Sequence, residues 1–274
     1  MQAAFSGKHG QEEAREVAFF IHSHRRSGTH FLLDTVRQWF DVPEEFFALE
    51  LLPDLNATSS REVDEGKLYW LVIDHEPFWA FKLSERHIWN SDRYLQRCTR
   101  LYMEGKHLYI LRNPLDVLRS LYLFDKHGAE PKFAIDPNTS FRDFLLGGSL
   151  HEKAGGMNRV EYWANHVTSW CSDPRVLVIH YQNLKDSPES CLNDISAHFG
   201  IPLREVPRSV ASSGVATSLT AESVSKGGAP SWDVDMVEIV RRTLSDFLEA
   251  RPAPDVSACM ALWFEGREIE AIQK

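Results

Sequence analysis

The stretch that decides the reading runs from Phe19 to Val36, FFIHSHRRSGTHFLLDTV. Its first part lies in Val17–Ser23 (VAFFIHS), an apolar run of the kind that forms a buried strand. HRRSGT follows as a short polar turn. HFLLDTVRQWF then sets Leu32, Leu33, Val36, Trp39 and Phe40 on one face of a helix. A strand that feeds a short Ser/Gly turn and then a helix aims several backbone N–H groups at one point, and the helix dipole adds positive potential there. Arg25 and Arg26 place two cations at the lip of the same turn. The segment therefore predicts an anion site. The nucleotide-kinase pattern GxxxxGK[ST] is absent, because the turn is shorter and carries a single glycine, Gly28. A phosphate-like ligand fits, without any requirement for a triphosphate and Mg²⁺. A plain strand-to-helix turn with solvated arginines is the alternative that this segment leaves open on its own.

Working outward, Tyr69–His75 (YWLVIDH), His107–Arg112 (HLYILR) and Arg175–Tyr181 (RVLVIHY) read as further strands. Helices are predicted over Ser91–Gly105, from Pro114 onward with the proline in the first turn, over Arg159–Cys171, over Ser187–Gly200 and over Asp233–Arg251. The Ser-, Gly- and Pro-rich stretch Arg204–Ser231 reads as irregular. Strands separated by helices predict an α/β fold: a single domain with a central parallel sheet flanked by helices and a P-loop-like strand–turn–helix. No internal repeat or linker interrupts the pattern, so the expected organisation is an extension over 1–16 and one domain over 17–274.

A chain of 274 residues buries a large core without covalent staples. Thirty Lys and Arg against 39 Asp and Glu leave a formal charge of −9, which argues against a broad basic face for nucleic acid or anionic membrane. Cys98, Cys171, Cys191 and Cys259 lie far apart with no CxxC pair, and read as buried thiols of a reducing compartment. The first residues, MQAAFSGKHGQEEAREVAFF, lack a cationic start followed by an apolar core. No apolar run reaches the roughly 18 residues that a membrane span needs. The expectation is a soluble cytoplasmic protein without nucleic-acid or membrane partners.

A second segment carries chemistry: LYILRNPLDVLRSLYLF, Leu108–Phe124. Arg112 leaves a strand end, and Ser120 follows eight residues later on the next helix. Both groups can reach an anion at the mouth of the sheet. Read alone, the pair is equally an arginine capping strand-end carbonyls and an ordinary helix serine.

Together the two segments resemble the phosphosulfate-dependent sulfotransferase family. RRSGTHFLL looks like its 5′-phosphosulfate loop, and RNPLDVLRSLY looks like its 3′-phosphate segment. The likeness continues in order through SFRDFLLGG, HVTSW, PRVLVIHYQNLKDSP and SKGGAPSW, from about residue 17 to 250. The resemblance implies 3′-phosphoadenosine 5′-phosphosulfate (PAPS) as co-substrate, adenosine 3′,5′-bisphosphate (PAP) as product, and no metal. Arg26 falls where the family has its catalytic lysine, an arginine in its carbohydrate branch. Arg25, Ser27, Gly28, Thr29 and His30 would contact the 5′-phosphosulfate, with His30 in place of the usual Thr or Ser. Phe31, Tyr181, Thr217 and Leu219 would border the adenine, Leu219 replacing an aromatic. Arg112, Ser120, Lys226 and Gly227 would bind the 3′-phosphate, and Ser120 is counted with the catalytic set as well. That last loop departs from the family at Ser225 and Pro230, where arginine and glycine are usual.

DHEPFW (Asp74–Trp79) resembles the family segment that supplies the general base, which assigns that role to His75. A neutral imidazole suits proton abstraction near pH 7. The family's lysine two residues earlier is Ile73 here, and His87 and Glu76 stay open as alternative bases. His24 is placed near the sulfo group. His166 lies on a helix with Trp163 and Trp170 and reads as packing.

The resemblance implies a small-molecule acceptor with a hydroxyl or amine. Its pocket would be lined by Pro43–Asp64, Trp79–Asn90 and Gly128–Asn158, which hold Phe46, Phe47, Trp79, Phe81, Trp89 and Phe133, with Phe78 just before the second stretch. Acidic runs over Asp41–Glu50 and Asp54–Glu65 favour a neutral or cationic acceptor. The family's C-terminal dimer motif is not recognisable in LWFEGREIEAIQK, so the oligomeric state stays open. The alternatives from other classes are a catalytically silent PAP-binding interaction module and a small-metabolite kinase, the latter lacking its P-loop lysine.

Overall fold

The computed structural model describes residues 17–41, 47–48, 69–74, 105–128, 131–148, 155–211 and 230–264. Five strands form one parallel sheet: β1 (Val17–His22), β2 (Phe47–Ala48), β3 (Tyr69–Asp74), β4 (His107–Leu111) and β5 (Val176–His180), in the order β2-β3-β1-β4-β5. β1 is central. It runs in register with β3 from Val17 beside Tyr69 to His22 beside Asp74, and with β4 from Phe20 beside His107. The chain goes from β1 towards β2 at one edge and from its neighbour β4 to β5 at the other, so the connections of these two adjacent strands diverge. In open parallel sheets such a point leaves a crevice at the carboxyl ends of the strands.

The helices are α1 (Thr29–Trp39), α2 (Pro114–Lys126), α3 (Phe141–Leu146), α4 (Arg159–Cys171), α5 (Tyr181–Asp186), α6 (Pro188–Phe199), α7 (Val234–Ala250) and α8 (Pro254–Phe264). Their boundaries follow local chemistry. The Asn113 side chain accepts from the Leu115 N–H, and Pro114 opens α2. Asn158 and Glu161 form a capping box at α4. Ser140 caps α3 and Asp233 caps α7. Gly200 closes α6 in the left-handed conformation, φ 67°.

The sheet is apolar on both faces because β1 and β4 alternate. Phe19, Ile21, Leu108 and Ile110 pack with Leu32, Leu33 and Val36 of α1 and with Leu192 and Ile195 of α6. Phe20, Tyr109 and Leu111 pack on the other face with α2, α4, α7 and α8. The expected α/β architecture is present, with shifts at element ends. β1 stops at His22 and β4 at Leu111, so Arg112 lies just beyond its strand. β5 ends at His180, and Tyr181 opens α5 instead of closing the strand. β2, α3, α5 and α8 were not predicted, and the helix expected over Ser91–Gly105 lies, but for its last residue, outside the described residues.

The turn between β1 and α1 has two left-handed residues. Arg26 (φ 68°) is the one non-glycine of positive φ among the described residues, and Gly28 has φ 108°. A Cβ on Gly28 would lie 2.5 Å from Cδ2 and 2.8 Å from Cε2 of Tyr181. Both the backbone angle and the close ring therefore require glycine.

Two predictions follow from these contacts. Gly28→Ala, strained in φ and overlapping the Tyr181 ring, is expected to lower stability by about 1–3 kcal/mol, read as a reduced urea midpoint; an unchanged midpoint would refute the close approach. Burial pushes His180 and His198 below the usual histidine range, with the charge of Lys106 adding to the shift at His198. The unfolded chain then takes up protons at higher pH than the native one, so this stability is complete above about pH 6.5 and is lost as pH falls towards the lowered native values. Urea midpoints should fall between about pH 7.5 and about pH 5, either side of the ordinary histidine range, with a shallower slope in His198→Gln.

Candidate active site

The site grows from the end of β1. Ser27 N–H donates to the His24 carbonyl at 3.1 Å, which closes the turn. Ser23 Oγ meets Thr29 Oγ1 at 2.5 Å, tying the strand end to the first residue of α1. Gly28 is the N-cap of α1 and offers no side-chain oxygen, and the first turn of the helix contains no acid. A helix that starts without a side-chain cap or a carboxylate directs its dipole and first-turn N–H groups to whatever anion sits beyond it.

Three elements bring the predicted cations and hydroxyl to this point. Arg26 Nε donates to Ser120 Oγ of α2 at 3.2 Å, and its guanidinium lies 4.5 Å from the centre of the Phe124 ring. Arg112, just past β4, donates from Nη1 to the Arg26 carbonyl at 3.3 Å and lies 4.5 Å over the Tyr181 ring. The buried Nε of Arg112 has no hydrogen-bond partner among the described residues. Phe31, 40% exposed, meets Tyr181 edge-on at 5.7 Å. Arg26, Ser27, Gly28, Thr29, His30, Phe31, Arg112, Ser120 and Tyr181 thus lie at the carboxyl end of the sheet. Arg25 turns to Asp125 of α2, with Nη2 3.1 Å from Oδ1. His75, Thr217, Leu219, Lys226 and Gly227 lie outside the described residues, as do Glu76 and His87.

Beneath the loop, on the α4 side of the sheet, lies a buried layer of imidazoles and aromatic rings. His22 stacks on Trp170 at 3.7 Å and 15°, and its Nε2 meets Nδ1 of His107 at 2.9 Å. The Tyr109 hydroxyl is 3.0 Å from Nδ1 of His166. Burial drives the Tyr109 phenol far above its usual range, so it stays protonated. His24 Nδ1 is 2.9 Å from the Arg25 carbonyl, which can only accept, so that nitrogen carries the proton. The His24 ring lies 5.6 Å from His166 and 5.7 Å from Tyr162.

Sequence reasoning did not single out Asp125 or Phe124, and it grouped Phe133 with the acceptor-side aromatics. Phe124 follows from helix spacing: Ser120 and Phe124 are four apart and share a face of α2. No pattern linked Phe133 to Arg25. Among the described residues no helix is long and apolar enough to cross a membrane, and no group of three or more His, Cys, Asp and Glu is placed to hold a metal.

Known proteins share this fold. A sulfotransferase of mouse complexed with PAP superposes with a TM-score of 0.56 at 18% identity, covering 92% of this chain and 91% of that one. A sulfotransferase from Alicyclobacillus acidocaldarius gives a TM-score of 0.49 at 17% identity, covering 86% and 94%. No curated protein matched the chain in a sequence comparison. The profile of the sulfotransferase domain matches residues 17–226, most of the chain, which therefore belongs to the sulfotransferase domain family.

Proposed function

We propose that this protein transfers a sulfo group from PAPS to a hydroxyl or amine of a small neutral or cationic acceptor, releasing PAP. One observation carries the donor assignment: Arg26, Ser120 and Arg112 converge from three elements on the uncapped start of α1. Each suits an anion, and the buried Nε of Arg112, without a partner among the described residues, suits a phosphate oxygen. The mouse sulfotransferase of similar fold was crystallised with PAP, which supports the same class of donor.

In the reaction, the acceptor oxygen or nitrogen forms a bond to sulfur as the bond from sulfur to the bridging oxygen breaks. The bridging oxygen leaves with the electron pair. Arg26 and the loop N–H groups stabilise the charge that develops there. Arginine keeps its proton at ordinary pH, so Arg26 acts by hydrogen bonding and not by giving up a proton. His75 takes the acceptor proton; it is the residue after Asp74, which ends β3 level with His22. The tyrosine at position 181 and Phe31 border the adenine, and Thr217, Leu219, Lys226 and Gly227 complete the donor site. The acidic runs Asp41–Glu50 and Asp54–Glu65 favour a neutral or cationic acceptor over a polyanion.

A screen of phenols, alcohols and amines with sulfur-labelled PAPS, beside thermal shifts with PAP against ATP–Mg²⁺, tests the reading. Stabilisation by PAP and label on an acceptor are expected; stabilisation by ATP–Mg²⁺ alone would sink it. Arg112→Ala should weaken PAP binding by about tenfold or more, measured by calorimetry, and unchanged affinity would remove Arg112 from the donor site. His75→Ala should cut turnover by about 10²–10⁴ with PAP affinity within a few-fold, and normal turnover would move the base elsewhere.

A further inference from the structure

The two adjacent arginines of the loop have different surroundings. We infer that Asp125 and Phe133 hold Arg25 as a positioning residue of the loop, so that Arg26 alone of the pair meets the sulfo donor. The inference rests on the donor reading above and refines which cation serves it.

The geometry is that of a closed clamp. Arg25 Nη2 lies 3.1 Å from Asp125 Oδ1, with side chains only 14% and 4% exposed. The guanidinium also stands 3.9 Å from the centre of the Phe133 ring and 5.8 Å from that of Phe124. Asp125 fastens the segment that carries Phe133 as well, because its carbonyl accepts from Gly128 N–H at 3.1 Å and Ile135 N–H at 3.3 Å. Arg159, held by the Phe144 carbonyl at 2.8 Å, is lowered below the usual arginine range by burial, with Asp125 opposing that shift and Arg25 adding to it. Swinging Arg25 out to an anion would strip a nearly buried carboxylate of its partner, an expensive step.

The left-handed backbone at Arg26 sends the two side chains apart along α2. Arg26 goes to Ser120 and Arg25 to Asp125, five positions along the helix and so about 7 Å further on. The carbonyl of Arg26 is meanwhile gripped by Arg112. The peptide that carries Arg26 is thus pinned from the Arg25 side by an ion pair and from its own carbonyl by a second arginine. Catalysis that depends on a fixed cation loses rate when that cation is misplaced, even where ligand affinity survives.

The test compares Arg25→Gln, Asp125→Asn, the double variant and Phe133→Leu with the natural protein. PAP affinity is measured by calorimetry, and kcat and KM for labelled PAPS with the best acceptor of the screen. Each single charge variant should keep the PAP Kd within about threefold while kcat falls about tenfold or more. The double variant, whose two amides can still hydrogen-bond, should lose no more than the worse single one. Phe133→Leu keeps the ion pair and should lower kcat a few-fold at unchanged Kd. A Kd for Arg25→Gln raised about tenfold or more, with Asp125→Asn unaffected, would make Arg25 a phosphate ligand and overturn the clamp. If the charge variants do not fold, unaltered kcat in Phe133→Leu overturns it too. A natural protein that binds no PAP overturns the donor reading and the clamp's role together, whereas PAP binding by the natural protein separates the two.

Discussion

The conformation on which the site depends is the left-handed backbone at Arg26 and again at Gly28. For a residue with a Cβ it costs about 1–2 kcal/mol, so contacts elsewhere must offset it. The Arg26 side chain bonds Ser120 and stacks on Phe124, and its carbonyl accepts from Arg112. The same turn brings Gly28 against the Tyr181 ring, over which Arg112 lies. Gly28, Tyr181, Arg112 and Arg26 therefore form a ring of mutual dependence. Loosening one member frees the next, and the start of α1 moves with them.

The sheet order explains why this ring sits where it does. β1 is flanked by β3 and β4; the chain goes from β1 towards β2 at one edge and from β4 to β5 at the other. The loop at the carboxyl end of β1 thus stands at this divergence, while the strand below is held by cores on both faces. The two sides of the sheet differ beneath the loop. On the α1 side the packing is aliphatic and phenyl; on the α4 side it includes His22, His107 and His166, which bond one another or Tyr109. Such a polar layer is directional, so it fixes the strand end more sharply than apolar contact alone would.

Much of this was legible before the structure. β1, β3, β4 and β5 announce themselves as apolar runs, and α2, α4, α6 and α7 by period and cap residues. Arg26, Arg112, Ser120 and Tyr181 were legible because their spacing survives within short segments. Other elements carry no such signal. β2 is two residues long, too short for alternation. α5 is a single polar stretch that buries Leu184, and α8 has apolar residues all round its axis, so neither shows one clear face. The pairing of Arg25 with Asp125 joins residues 100 apart in sequence. Periodicity reports which face a side chain occupies, but not which partner meets it there.

The arginine at position 26, where the resembling family carries a lysine, becomes intelligible from its contacts. A guanidinium is planar, and it can lie over the Phe124 ring while one edge N–H donates to Ser120. An ammonium on a flexible stem has no plane to stack and would hold its place less firmly. The gain in fixity has a chemical consequence. A lysine could pass a proton to the leaving oxygen, whereas an arginine at ordinary pH donates only hydrogen bonds. In the proposed reaction the leaving group would then depart as an anion stabilised by fixed charge and N–H dipoles, and the proton that moves would be the acceptor's. The loop provides a rigid electrostatic cradle whose accuracy rests on how firmly its arginines are held.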